Sequence, residues 1–218
     1  LKQIIADEGA LPISRVLPIF EQVCSVLADA HNLGIVHRDM KPDNIMLKPR
    51  PDGRETVTVL DFGIAKMLGQ DDDKNAVVTR TGSFFGTPQY MSPEAVTNQP
   101  DVRSDISSLG IILYEALSGD VPFKAPSIMQ LLILHMNEKP LPLRRFKPQM
   151  NISPELDAAV LKALEKDPAR RYQTAVELLE DLRAAAASSL QAPEPELKQR
   201  SPVKGILAAG LAAVCVLL

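Results

Sequence analysis

Cysteine is scarce in this chain. The two present, Cys24 and Cys215, lie far apart, one in a helical apolar pattern and the other in a wholly apolar run. Both read as small hydrophobes in a reducing or lipid setting, which argues against a structural disulfide. Charge of one sign is equally scarce. Lys and Arg number 24 against 27 Asp and Glu, and the net charge of −3 points neither to a nucleic-acid partner nor to an acidic substrate. An initiator methionine and a signal-like segment are both missing, since the sequence opens on Leu1, and we expect a fragment. What is plentiful is apolar: 45% of 218 residues are hydrophobic, enough for a buried core in one large domain or two small ones.

A short amphipathic piece (Leu1, Ile4, Ile5) stops at Gly9. Val16, Ile19, Phe20, Val23, Val26, Leu27 and Ala30 then alternate spacings of three and four, which predicts a helix with one buried face. Ser14 is the expected cap, because Pro18 is tolerated best near a first turn, and Gly34 ends the helix. Ile45–Leu47 and Val57–Leu60 read as two short strands joined by a turn at Pro51-Asp52-Gly53. Residues 64–93 show no periodicity, and a loop of that length in a compact domain is often functional. Ser104 to Ser118 is apolar almost all round and predicts a buried central helix ended by Gly119. Helices are expected over Ser127–Met136 and Ser153–Lys166. A last one opens on the capping box Thr174-Ala-Val-Glu177, with Val176, Leu178, Leu179 and Leu182 as its apolar face. The class is mainly α (α+β), helical with a short β-hairpin.

Two polar blocks stand out against this background. His37-Arg-Asp-Met-Lys-Pro-Asp-Asn44 gathers two carboxylates, a lysine, an arginine and an amide in one tight loop after a helix. Asp61-Phe62-Gly63 places a carboxylate at the end of a β-branched run, with a glycine to let the backbone turn. An acid that accepts a hydroxyl proton, a lysine for a phosphoryl oxygen, and an amide with a carboxylate for a hard cation are what phosphoryl transfer needs.

In order and spacing these blocks resemble the catalytic and metal-binding loops of eukaryotic-type protein kinases. The resemblance implies that Asp39 accepts or orients the substrate hydroxyl proton. It makes Lys41, in its serine/threonine-kinase position, reach the transferred phosphate, and Asn44 and Asp61 hold Mg2+ with ATP. His37, Phe62 and Gly63 set the loops, and Asp43 has no role beyond a solvated side chain. Gly86-Thr-Pro-Gln-Tyr-Met-Ser-Pro-Glu94 is similar to the segment that closes the activation loop, with Ser92 where alanine is usual. There Thr87 would contact Asp39 and Lys41, and Glu94 would pair with Arg171. Asp105 would hydrogen-bond the catalytic-loop backbone. Arg38, just before Asp39, implies regulation by a negative charge on Thr79 and Thr81, with Ser83 a third choice, phosphorylated in trans by a second copy.

The resemblance covers residues 1–185, the C-terminal lobe of the kinase fold. No Gly-x-Gly-x-x-Gly and no Val-Ala-Ile-Lys precede His37, so the chain alone should be inactive. Residues 186–204 (Pro193-Glu-Pro-Glu, then Lys198, Arg200 and Lys204) read as a flexible linker. Gly205–Leu218 is uncharged and apolar. As a helix it would span about 21 Å at ~1.5 Å per residue, short of the ~30 Å hydrocarbon core. It is either the start of a transmembrane helix with the kinase side cytoplasmic, or a buried or partner-docking helix. The expectation is a fragment of a bacterial membrane-anchored serine/threonine kinase acting on protein substrates. A pseudokinase scaffold and a small-molecule kinase are the alternatives. Lys41, Phe62-Gly63 and the 86–94 segment disfavour the second of these.

Overall fold

The computed structural model describes residues 1–62, 88–97, 99–150 and 152–191, with side chains up to Ala187. In chain order the elements are α1 (Lys2–Glu8), α2 (Ile13–Asn32), β1 (Ile45–Pro49), β2 (Glu55–Val59), α3 (Pro93–Val96) and α4 (Val102–Ser118). They continue with α5 (Ile128–Asn137), α6 (Leu143–Phe146), α7 (Pro154–Ala163) and α8 (Ala175–Gln191). Short 3-10 turns lie at Pro42–Asn44, Pro88–Tyr90, Pro148–Met150 and Pro168–Arg170.

Helix α4 is the centre. It has no polar face to show to water, and every residue from Ser104 to Ser118 is buried. Its start lies earlier than the apolar run suggests. Asp101 forms a capping box, its carboxylate accepting from the Arg103 amide at 2.8 Å and its own amide donating to Ser104 Oγ at 3.1 Å. Its end is Gly119, in the left-handed conformation at φ 72°, where a side chain would meet the Ala10 backbone nitrogen at 2.8 Å.

Helix α2 buries Val16, Ile19, Phe20, Val23, Cys24, Leu27 and Ala30, close to the face predicted, with Val26 only half-buried at its margin. Two expectations at its start are corrected. The N-cap is Pro12, with no side-chain cap, and Ser14 lies inside the first turn. Pro18 therefore sits in the second turn, where the burial of this face outweighs the hydrogen bond that proline cannot make. The helix closes as expected. Gly34, at φ 73°, donates to the His31 carbonyl at 2.9 Å and Ile35 to that of Ala30 at 2.9 Å, a Schellman pair that turns the chain toward His37. Burial pushes the Cys24 thiol up to about 12, so it packs as a hydrophobe.

The hairpin pairs Ile45 with Val59 and Leu47 with Val57, antiparallel. The free side of β2 is sealed by Gln22 of α2, which accepts from the Val57 amide at 3.0 Å and donates to the Glu55 carbonyl at 3.0 Å. Arg15 adds a bond to Glu55 at 2.9 Å.

Helix α8 packs on α2 and α7. Thr174 Oγ1 accepts from the Glu177 amide at 3.2 Å, but Glu177 reaches back to the amide of Gln173 at 2.9 Å, one residue beyond a standard capping box. Its buried face is Ala175, Leu178, Leu179, Leu182 and Ala185, whereas Val176 is 47% exposed, one position off that stripe. The helix continues to Gln191, into the stretch expected to be linker, because Ala184–Ala187 are strong helix formers and Ala185 and Ala186 are buried. No helix among the described residues is long and apolar enough to cross a membrane, and Gly205–Leu218 lies outside them.

Candidate active site

The polar loop begins where the turn after α2 delivers His37 to α4. The carboxylate of Asp105, one turn into α4 and buried, accepts from the backbone amides of His37 at 2.8 Å and Arg38 at 2.9 Å. The imidazole Nε2 of His31 lies 2.8 Å from the same carboxylate. Two successive amides aimed at one anion form a nest, and Arg38 takes up φ 63° to complete it. That conformation is strained for a residue with a side chain, and the buried carboxylate holds it in place.

From this anchor the loop folds on itself. His37 accepts the Asp39 amide on Nδ1 at 3.3 Å and donates from Nε2 to the Leu60 carbonyl at 2.8 Å, an arrangement that fixes the tautomer. Its ring sits 4.6 Å from that of Phe62. Asn44, buried, donates from Nδ2 to the Asp39 carbonyl at 2.8 Å, and Lys41 Nζ lies 2.9 Å from Asp39 Oδ2. The Leu60 amide donates to the Asn44 carbonyl at 2.9 Å. This tether brings the residue after Leu60 next to the loop: Asp61, exposed and also left-handed at φ 53°. Asp43 is exposed, as expected.

Among the described residues no three His, Cys, Asp or Glu side chains gather as a metal site. One amide and one carboxylate are nonetheless a donor set that suits Mg2+, which keeps water and phosphate oxygens as its remaining ligands. A cleft of about 930 Å3 opens beside Lys41 and Asn44, walled by Lys2, Gln89, Tyr90, Glu115 and Val121.

The segment that follows position 87 is fastened from two sides. Glu94 takes a bidentate pair from Arg171, at 2.7 and 3.3 Å. Arg171 is buried, and its remaining N–H groups go to the carbonyls of Arg103 and Glu165, so all five donors of the guanidinium are used. Burial works against the ionised carboxylate of Glu94, but the guanidinium outweighs it and holds this carboxyl below its usual range. On the other side Tyr90 donates to Glu115 at 2.7 Å, Lys2 reaches both of them, and the Tyr90 carbonyl accepts from Ser108 at 2.7 Å. Burial and then the Glu115 carboxylate push the Tyr90 phenol well above its ordinary value.

The structure thus brings together His37, Arg38, Asp39, Lys41, Asn44, Asp61, Phe62 and Asp105, and separately joins Glu94 to Arg171. Gly63, Thr79, Thr81, Ser83 and Thr87 lie outside the described residues. Sequence reasoning missed His31, Lys2, Tyr90 and Glu115. Each acts through a partner distant in the chain, and only the buried setting of Glu115 in an apolar helix could have marked it.

Residues 1–182 match the family described as protein kinase domain. The chain belongs to the protein kinase family. It is 41% identical over 218 residues to the serine/threonine-protein kinase pkn3 of Myxococcus xanthus, covering 93% of this chain and 40% of that protein. It is 42% identical over 183 residues to the serine/threonine-protein kinase PknB of Mycolicibacterium smegmatis, covering 84% of this chain and 28% of the relative. A crystal structure of the PknI kinase domain of Mycobacterium tuberculosis, a mutant form, superposes with a TM-score of 0.59 at 24% identity, over 84% of this chain and 60% of that one. That likeness speaks for the fold alone. The kinase chain therefore spans two fifths or less of the curated relatives named here.

Proposed function

We propose that this chain is the larger lobe of a bacterial serine/threonine protein kinase that transfers the ATP γ-phosphate to Ser or Thr of protein substrates. The observation that carries the reading is the single loop in which Asp39, Lys41 and Asn44 are hydrogen-bonded together, anchored on Asp105 and tethered at Leu60 to Asp61. Asp39 takes or orients the hydroxyl proton of the acceptor. Lys41 supplies a positive charge beside it, and in the free chain it neutralises Asp39 until a phosphate draws it away. Asn44 and Asp61 are the residues that would hold Mg2+, whose charge offsets that of the phosphates. Met46, 55% exposed on β1 two residues after Asn44, offers an apolar surface on which a nucleotide base can rest. Thr87 docks the acceptor segment.

Arg38 fits a regulatory role, with phosphorylation of Thr79 and Thr81 in trans supplying its counter-charge. Residues 192–204 act as a linker, and Gly205–Leu218 begins a single membrane span with the kinase lobe on the cytoplasmic side. The basic residues Lys198, Arg200 and Lys204 just before the apolar run support that orientation.

The test uses the full-length parent enzyme. Asp39→Asn and Asp61→Asn are each expected to lower phosphotransfer to a protein substrate at least a hundredfold, with an unchanged melting temperature, because catalysis here is positioning and charge stabilisation. Turnover within a factor of three of wild type by both variants would sink the role assignment.

A further inference from the structure

The cleft beside Lys41 and Asn44 has a carboxylate in its wall that is already matched with a cation of its own chain. Glu115, in the last turn of α4, is buried, and one of its oxygens accepts from the Tyr90 hydroxyl at 2.7 Å. Its other oxygen lies 3.3 Å from the ammonium of Lys2, the first residue of α1. The same ammonium donates to the Tyr90 oxygen at 3.1 Å and stands 5.7 Å from the centroid of that ring. All three side chains line the cleft, and Lys2 is the outermost, with 48% of its side chain exposed against 8% for Glu115. An ion pair with one partner half in water contributes little to stability, so its main consequence is what it keeps out of the cleft.

We propose that Lys2 fills, with its own ammonium, the place in the acceptor cleft that a basic side chain of a protein substrate would take, so that this kinase selects acceptor segments with an uncharged residue there. The proposal rests on the kinase reading, which puts the acceptor segment in the cleft next to Asp39.

The geometry supports it in three ways. With one oxygen of Glu115 engaged by Tyr90 and the other by Lys2, an incoming guanidinium has no free carboxylate edge for a bidentate pair. Swinging Lys2 aside does not clear the subsite. Its stem is fixed on α1, so the displaced ammonium stays within the roughly 8 Å over which charges act at physiological ionic strength, and like charges set side by side repel. An acidic side chain fares no better. It would meet Glu115 and also Asp43, which faces the same space, since its charge too helps to raise the Tyr90 phenol. The remaining charges of the wall are matched within it, Lys124 with Asp120 at 2.6 Å and Lys41 with Asp39 at 2.9 Å. Val121 and Ala125 complete a lining that suits a small or apolar residue.

The test converts the specificity. The full-length parent enzyme is given serine and threonine peptides in which arginine or alanine is walked from about five residues before the acceptor to about three after it. At one position only, Lys2→Met should raise the arginine-over-alanine ratio of kcat/KM at least tenfold above the wild-type ratio, with the gain in KM, because Glu115 is then open to the guanidinium. Lys2→Arg, which keeps the cation, should retain the wild-type profile. Adding Glu115→Gln to Lys2→Met should bring the ratio back to within about threefold of wild type. Asp43→Asn in the same background, at an exposed position outside the core, should lower it in part even where the Glu115 variant folds poorly. A Lys2→Met profile that matches wild type at every position overturns the proposal and leaves the kinase reading standing. So does a gain that survives both Glu115→Gln and Asp43→Asn. A wild-type parent that transfers no phosphate to these peptides or to unfolded protein sinks the kinase reading, and this proposal with it.

Discussion

At the scale of single residues, Asp105 has the most consequences. One buried carboxylate satisfies two backbone amides and an imidazole, and holds Arg38 in a conformation it would not otherwise keep. Replacing it with alanine leaves those donors without an acceptor in a water-poor interior. Each orphaned donor costs about 1–3 kcal/mol, so Asp105→Ala should lose roughly 3–5 kcal/mol in urea denaturation, and Asp105→Asn, which keeps one acceptor, distinctly less. A loss under about 1 kcal/mol for the alanine variant would show that the loop holds its shape without this anchor. The site residues themselves were legible in sequence because Asp39, Lys41 and Asn44 sit within one contiguous block. The pairing of Glu94 with Arg171 was legible only through the family pattern. His31 was not legible at all: nothing local separates a histidine in the last turn of α2 from any other, and its partner lies on α4.

At the scale of elements, periodicity gave the helices and the hairpin, and tertiary contacts corrected their edges. Asp101 caps α4 in advance of the apolar run, so a boundary drawn from hydrophobicity starts late. Pro18 lies deeper in α2 than local rules allow, because the buried face decides where that helix runs. Val176 is exposed because Ala175, small enough to be overlooked, is the residue that faces the core. The crossing of α4 and α7 depends on another small residue. A methyl group on Gly110 would meet Ala163 Cβ at 3.0 Å and the Leu164 side chain at 3.1 Å. Glycine costs about 1 kcal/mol relative to alanine inside a helix, and that cost is offset by the close approach it permits. Gly110→Val should therefore destabilise the protein by about 2–3 kcal/mol through overpacking, a fall in melting temperature of roughly 4–12 °C. Gly110→Ala, whose propensity gain opposes a smaller clash, should shift it less. A valine variant that melts with wild type would mean that the two helices are free to separate at this point.

At the scale of the whole molecule, one buried cluster joins elements that are far apart in the chain. His135 on α5 is buried with its ring centroid 5.1 Å from that of Phe123 in a T-shaped contact, and Lys166, beyond the end of α7, donates to the His135 carbonyl at 2.7 Å while its Nζ lies 4.3 Å from the centroid of the Phe123 ring. Gln89, in the turn before α3, donates to the Phe123 carbonyl at 2.9 Å. Burial first, and the nearby ammonium second, push the His135 imidazole down to about 4. The folded state thus resists a proton that the unfolded chain accepts near its ordinary value of about 6.5. Stability conferred by the neutral ring is complete above that pH and is lost as pH falls from about 6.5 to 4, by up to roughly 3 kcal/mol. Lys166, lowered to about 8 by burial and by the Arg171 charge, has a penalty of the same sign at the other end of the scale. Its buried charge burdens the fold below about 8 and is relieved as pH rises toward about 10.5, where the unfolded lysine titrates. Carboxylates such as Glu94, held below their usual range, also withdraw support in acid, so the absolute slope does not isolate the histidine. The difference between proteins does. Between pH 6.5 and 4.5 wild type should lose about 2 kcal/mol more stability than His135→Gln, while the two profiles keep the same shape above pH 7. Parallel curves for the two proteins across that acid interval, in urea denaturation at matched ionic strength, would show that His135 is protonated in the folded state as readily as in water.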